Sequence, residues 1–132
     1  GKDSTPAEGA AIEYAVGILG VKEIVLCGHY GCGAMASLFS GIDEKKFPNV
    51  SQWLADSAEI RKNNPNITHP DQATEKNVLV QLGNLKTYPC VQDAIASRGL
   101  QIRGWIKDLK TAELYEWDET SKRFRPISEL HE

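Results

Sequence analysis

Apolar positions along this chain recur with two distinct periods. Over residues 5–20, Ile12, Ala15, Val16 and Leu19 fall at helical spacing, which predicts a helix with one buried stripe. Its start, Thr5-Pro6-Ala7-Glu8, has the residue types of a capping box with proline at the first helical position, and Gly20 is the expected stop. Residues 21–27 (Val-Lys-Glu-Ile-Val-Leu-Cys) are short and rich in β-branched side chains. They predict a strand buried on both faces, as in a parallel sheet. Gly28-His29-Tyr30-Gly31-Cys32-Gly33 is expected to break that strand, and Ala34, Met35, Ala36 and Leu38 resume a helical character.

Three further helices follow. One over 49–64 puts Val50, Trp53, Leu54 and Ala58 on one side and ends before Pro65; one over 71–87 groups Val78, Leu82 and Leu85; a short one runs from Pro89 to Gly99. Residues 100–106 read as a second strand, 107–111 as a turn, and 113–117 as an antiparallel partner at a sheet edge. From Asp118 the chain is polar, with Phe124 and Ile127 as anchors. The order helix, strand, glycine-rich turn, helix predicts an α/β fold: a mostly parallel β-sheet flanked by helices, with an antiparallel edge strand. Two central strands and one edge strand make a thin sheet for four or five helices.

Composition narrows the class. A length of 132 residues points to a single domain over 1–132. Such a chain buries roughly two-thirds of its unfolded surface, so it needs neither disulfides nor metal merely to fold. Hydrophobic residues at 41% and charged residues at 25% exclude a disordered tail, a collagen-like repeat and a coiled coil. The net charge of -3 argues against a nucleic-acid partner. No apolar run approaches the ~20 residues of a membrane span, and no signal peptide is expected at the start. Cys27, Cys32 and Cys90 are too few and odd in number for a disulfide framework, so a reducing compartment is expected: the cytoplasm, or an organelle stroma or matrix.

His29 and Cys32 are the sharpest chemical feature. Imidazole nitrogen and thiolate sulfur are ligands that zinc prefers, and a glycine-rich turn lets both face one ion. They follow the C-terminal end of a predicted strand, where α/β folds place their sites, and Cys32 precedes a helix whose N-terminal dipole favours a thiolate. The bland alternative is a buried cysteine and a satisfied histidine, because His-x-x-Cys occurs often by chance. Cys27 is expected to be a core residue, Cys90 to pack, His69 to lie in an exposed loop and His131 in a frayed tail. Trp53, Trp105 and Trp117 are expected in the core or a subunit interface, and Arg103 has no evident role.

The segment from Glu13-Tyr14-Ala15-Val16 through Val25-Leu26-Cys27-Gly28-His29-Tyr30-Gly31-Cys32-Gly33-Ala34 resembles the second zinc-ligand motif of the β-class carbonic anhydrases. Asn77 to Gln81, Asn84 to Pro89 and Gly99 to Asp108 resemble that family's later helices, late strand and turn, in the same order. The resemblance implies zinc-dependent reversible hydration of carbon dioxide to bicarbonate. It also implies His29 and Cys32 as two of three protein ligands to zinc, and a homo-oligomer. The family's third ligand is a cysteine in a Cys-x-Asp-x-Arg motif, whose aspartate and arginine orient the zinc-bound water or complete the coordination shell. No such stretch occurs here. The expectation is therefore an N-terminally incomplete domain that lacks the family's first central strand, with no catalytic residue identified and impaired turnover. The alternative is a non-catalytic oligomerising remnant with weak or no zinc binding.

Overall fold

Four helices of the chain begin on proline, whose fixed φ suits the first helical turn and whose missing N–H costs nothing there. In the computed structural model, which describes residues 5–130, these are α1 (Pro6–Glu13), α3 (Pro48–Asn63), α4 (Pro70–Leu85) and α5 (Pro89–Arg98). The remaining helices are α2 (Gly33–Ser40) and the single turn α6 (Ile127–Leu130). The expected capping box closes α1: Glu8 donates its backbone N–H to Thr5 Oγ1 at 3.3 Å, and the Glu8 carboxylate accepts from the Thr5 N–H at 3.2 Å. His131 and Gly1 to Ser4 lie outside the described residues.

The first helix changes pitch before it ends. Tyr14–Ile18 is π-helical, and Leu19 N–H donates to Tyr14 O, five residues back, at 2.9 Å. The wider turn rotates the end of the predicted stripe outward. Val16 is buried, whereas Leu19, expected beside it, is 63% exposed. Gly20 then turns the chain at φ +65°.

Four strands form one sheet in the order β1-β2-β3-β4: β1 (Glu23–Tyr30), β2 (Gln101–Asp108), β3 (Leu114–Asp118) and β4 (Arg123–Pro126). The α/β architecture expected from the sequence is present. Its parallel part is one pair, β1 with β2, and two antiparallel pairs follow where the sequence predicted one. The additional strand β4 is polar and ends on Pro126. It is held by its pairing with β3, and Trp117 and Phe124 meet edge to face at 5.3 Å.

Two expectations for β1 are corrected. The strand does not break at Gly28 but continues through His29 to Tyr30, because each of these residues pairs with β2, Gly28 opposite Ile106 and His29 opposite Lys107. Nor is it buried on both faces. Ile24, Leu26, Gly28 and Tyr30 turn toward the helices, while Glu23, Val25, Cys27 and His29 are exposed on the other face. Cys27 is thus exposed rather than in the core, since it falls on the uncovered side of the alternation.

The core gathers where α5 and the π-helical segment meet the base of the sheet, with Val16, Leu85, Tyr88, Val91, Ala94 and Leu100 buried together. Cys90 packs against this cluster, as expected. On α3 only Leu54 of the predicted apolar side is buried, joined by Ile60, and Trp53 is 74% exposed. No helix among the described residues is long and apolar enough to cross a membrane.

Candidate metal centre

The site follows from how β1 ends. Its last residue but one is His29; Gly31 then adopts φ +72°, a left-handed conformation that glycine enters without penalty, and Cys32 is the N-cap of α2. The Cys32 side chain makes no capping hydrogen bond, so its thiol is not engaged by the helix it precedes. His29 Nδ1 stands 3.4 Å from the Tyr30 carbonyl oxygen. A carbonyl can only accept, so the contact suits the neutral tautomer with its proton on Nδ1, the form whose Nε2 can bind a cation.

The two residues between His29 and Cys32 are both held by α4. Tyr30 donates its hydroxyl to Glu75 Oε1 at 2.6 Å. Gly31 donates its backbone N–H to Asp71 Oδ1 at 3.1 Å. Burial, reinforced by the hydrogen bond to Glu75 and that carboxylate's charge, pushes the Tyr30 phenol far above its ordinary range, so it remains a donor. The Tyr30 ring also meets Tyr115 of β3 edge to face at 5.8 Å.

The start of α4 is fixed in turn by His69. It is exposed as expected, but it is not idle in a loop: Nδ1 accepts from the Asp71 N–H at 3.0 Å, and the Gln72 side chain accepts from the His69 N–H at 3.1 Å. Cys32, Tyr30, Asp71 and His69, with Lys110 from the β2–β3 turn, border a cleft of about 400 Å³, open at one side. His29 does not line that cleft.

The sequence named His29 and Cys32, and the structure places them at the two ends of one tight turn. In kind, imidazole and thiol suit zinc. In number they fall short, because among the described residues no three His, Cys, Asp or Glu side chains converge to hold a metal ion. Cys27 and Cys90 do not complete the set. Asp71 and Glu75 were missed by the sequence reading, since no local pattern ties them to a turn that lies far upstream.

Trp105 and Trp117, expected in the core or an interface, both lie half-buried and spend their indole N–H groups on carboxylates, Glu116 and Glu119. Arg103, to which the sequence assigned no role, bridges strands: Nη1 donates to Glu116 at 3.3 Å and Nη2 to Glu23 at 3.4 Å.

Comparison with known proteins agrees with this architecture. The sequence profile of the carbonic anhydrase family matches residues 3–114. A carbonic anhydrase of Pseudomonas aeruginosa is 36% identical over 91% of this chain and 57% of its own length. The β carbonic anhydrase 3 of Arabidopsis thaliana is 32% identical over 83% of this chain and 47% of its own. Among solved structures, the β-carbonic anhydrase CcaA superposes with a TM-score of 0.78 at 31% identity, over 95% of this chain and 65% of that one. One of two tetrameric β-carbonic anhydrases from Sordaria macrospora gives 0.77 at 31% identity, over 86% and 60%. The chain spans about half the length of the curated relatives it matches. With that span, and with His29 and Cys32 standing where β1 ends, the chain belongs to the carbonic anhydrase family and has the fold of its β class.

Proposed function

We propose that His29 and Cys32 are two protein ligands of a zinc ion, and that the reaction served is the reversible hydration of carbon dioxide to bicarbonate. The observation that carries this reading is the pairing of an imidazole whose Nδ1 faces the Tyr30 carbonyl with a thiol that caps no helix amide, across one left-handed glycine. Zinc, when bound, supplies the Lewis acidity that makes hydroxide available near neutral pH. The chain's own contribution is to hold the two donors. The Tyr30 carbonyl orients the His29 ring, while Gly31 and Tyr30 are tied to α4. A reducing compartment such as the cytoplasm keeps all three cysteines as thiols.

A third protein ligand has to come from outside the described residues, and the Cys-x-Asp-x-Arg stretch that supplies it in the family is absent from this sequence. A second reading, a non-catalytic oligomerising member with weak zinc binding, draws on the same shortage. Self-association in either case is supported by the tetramers named for Sordaria macrospora and by exposed Ile18, Leu19 and Trp53.

Zinc per chain by elemental analysis, with carbon dioxide hydration by stopped flow, separates the two readings. Metal bound near one equivalent and lost in Cys32→Ser, with hydration above the uncatalysed rate, is the expected result. No metal and no rate would sink the enzymatic reading.

A further inference from the structure

Only two residues separate His29 from Cys32, and each is gripped by its own carboxylate. Glu75 takes the Tyr30 hydroxyl at 2.6 Å and Asp71 takes the Gly31 amide at 3.1 Å. The carboxylates are four residues apart on α4, so they rise from one face of a single helix, about one turn from each other. That helix is a firm base. Ala73, Thr74, Val78 and Leu85 are buried along it, and the His69 box closes its first turn. The turn itself is left-handed at Gly31 and joins the end of β1, whose Tyr30 pairs with Asp108, to the start of α2.

We propose that Asp71 and Glu75 are positioning residues for the metal centre: as a pair on α4 they clamp Tyr30 and Gly31 and thereby set the spacing between the His29 and Cys32 donors. This rests on the zinc reading above, whose ligands they would serve without touching the ion. Two hydrogen bonds from a helix to a strand end could simply fasten one element to the other. The placement distinguishes the cases, because both bonds land inside the two-residue gap between donors, whereas the hydrogen bonds of Gln72, Asn77, Gln81 and Asn84 side chains on α4 stay within that helix and the residues that flank it. A free turn would let a donor pair sample many separations, and the entropy of fixing it would be lost from metal affinity.

The test uses the full 132-residue chain with two readouts. The first is hydrogen exchange of the Gly31 amide in metal-free protein. The second is titration with cobalt(II) as the zinc substitute, following the thiolate-to-cobalt absorption. In Asp71→Ala, Gly31 exchanges faster and cobalt affinity falls about ten- to a hundredfold, the range seen when a group supporting a ligand is removed. Asp71→Asn and Glu75→Gln retain an accepting oxygen and restore both readouts, which controls for loss of folding. Glu75→Ala and Tyr30→Phe weaken cobalt binding in the same direction.

Unchanged Gly31 exchange in Asp71→Ala overturns the clamp whatever the metal does. Faster exchange with unchanged cobalt affinity overturns the positioning role. If wild type and Cys32→Ser bind cobalt equally, or neither binds it, the zinc reading falls and takes the positioning role with it. Gly31 exchange then still reports separately whether the Asp71 bond exists.

Discussion

A β-carbon built on Gly28 would lie 2.9 Å from Cγ2 of Val78. Val78 is 2% exposed and β-branched, so it has little freedom to withdraw, and its other methyl lies 3.1 Å from where a β-carbon on Gly104 would stand. The two glycines let α4 settle directly on β1 and β2, which is what brings Asp71 and Glu75 within reach of the turn after β1. Gly28→Ala should lower the unfolding free energy by about 1–3 kcal/mol in urea titrations, as overpacking does. Combined with Val78→Ala the loss should be smaller than the sum of the single effects, because the second change removes the methyl that clashes. Strict additivity would show that the glycine is not needed for helix–sheet approach.

Glu116 is 7% exposed in the middle of β3, with its carboxylate accepting from both Arg103 and the Trp105 indole. Removing the cation leaves a charge buried with fewer partners. Arg103→Ala should cost about 1.5–3 kcal/mol, the range for hydrogen bonds to a charged group, read as a fall in the urea midpoint. Arg103→Lys should recover only part of this, since one ammonium cannot reproduce the fork that spans Glu23 and Glu116.

The β3–β4 hairpin should weaken in acid. Hydrogen bonds from Ser121 and from Arg125 hold the Asp118 carboxyl below the usual carboxylate range, and Lys122 and the Trp117 indole do the same for Glu119. A carboxylate with a depressed folded-state pKa adds stability that is fully present above its unfolded value, about 3.9 for Asp, and is lost as pH falls through the folded one. Amide exchange in the hairpin should therefore accelerate relative to α5 as pH drops below about 4. Asp118→Asn should flatten that difference. An equal pH response in the variant would remove Asp118 as its source.

His69 supports the start of α4 through its ring nitrogen. His69→Ala should destabilise by about 0.5–2 kcal/mol, the cost of losing an N-cap, and His69→Asn, a stronger capping residue, should restore it. Thermal unfolding measures the loss, and exchange of the Asp71 amide localises it.

The helices were legible because their punctuation is local. Proline opens α1, α3, α4 and α5, and the four starts read from sequence, at residues 6, 49, 71 and 89, lie within a residue of those in the structure. The strands were less so, because pairing overrides residue type. Gly28 and His29 read as breakers yet sit in a ladder with Ile106 and Lys107, and Arg123-Phe124-Arg125-Pro126 has too little alternation to announce β4. The apolar side drawn for α3 was displaced for the same reason, since which face is covered depends on neighbours far along the chain. At the site, His29 and Cys32 were visible by their chemistry. Asp71 and Glu75 were not, lying 40 and 45 residues beyond the groups they hold.

The pairing of β1 with β2 runs unbroken from Glu23 opposite Gln101 to Tyr30 opposite Asp108, and everything between Gly31 and Leu100 must be made before it can form. A ribosome therefore delivers His29 and Cys32 long before β2 exists to pair with β1, and before the α4 carboxylates that grip the turn. Closing so long a loop carries its entropy cost ahead of its reward, which slows folding and leaves β1 without β2 until late in synthesis. His29 and Cys32 are made well before α4 and β2, and their turn is organised only once both have arrived.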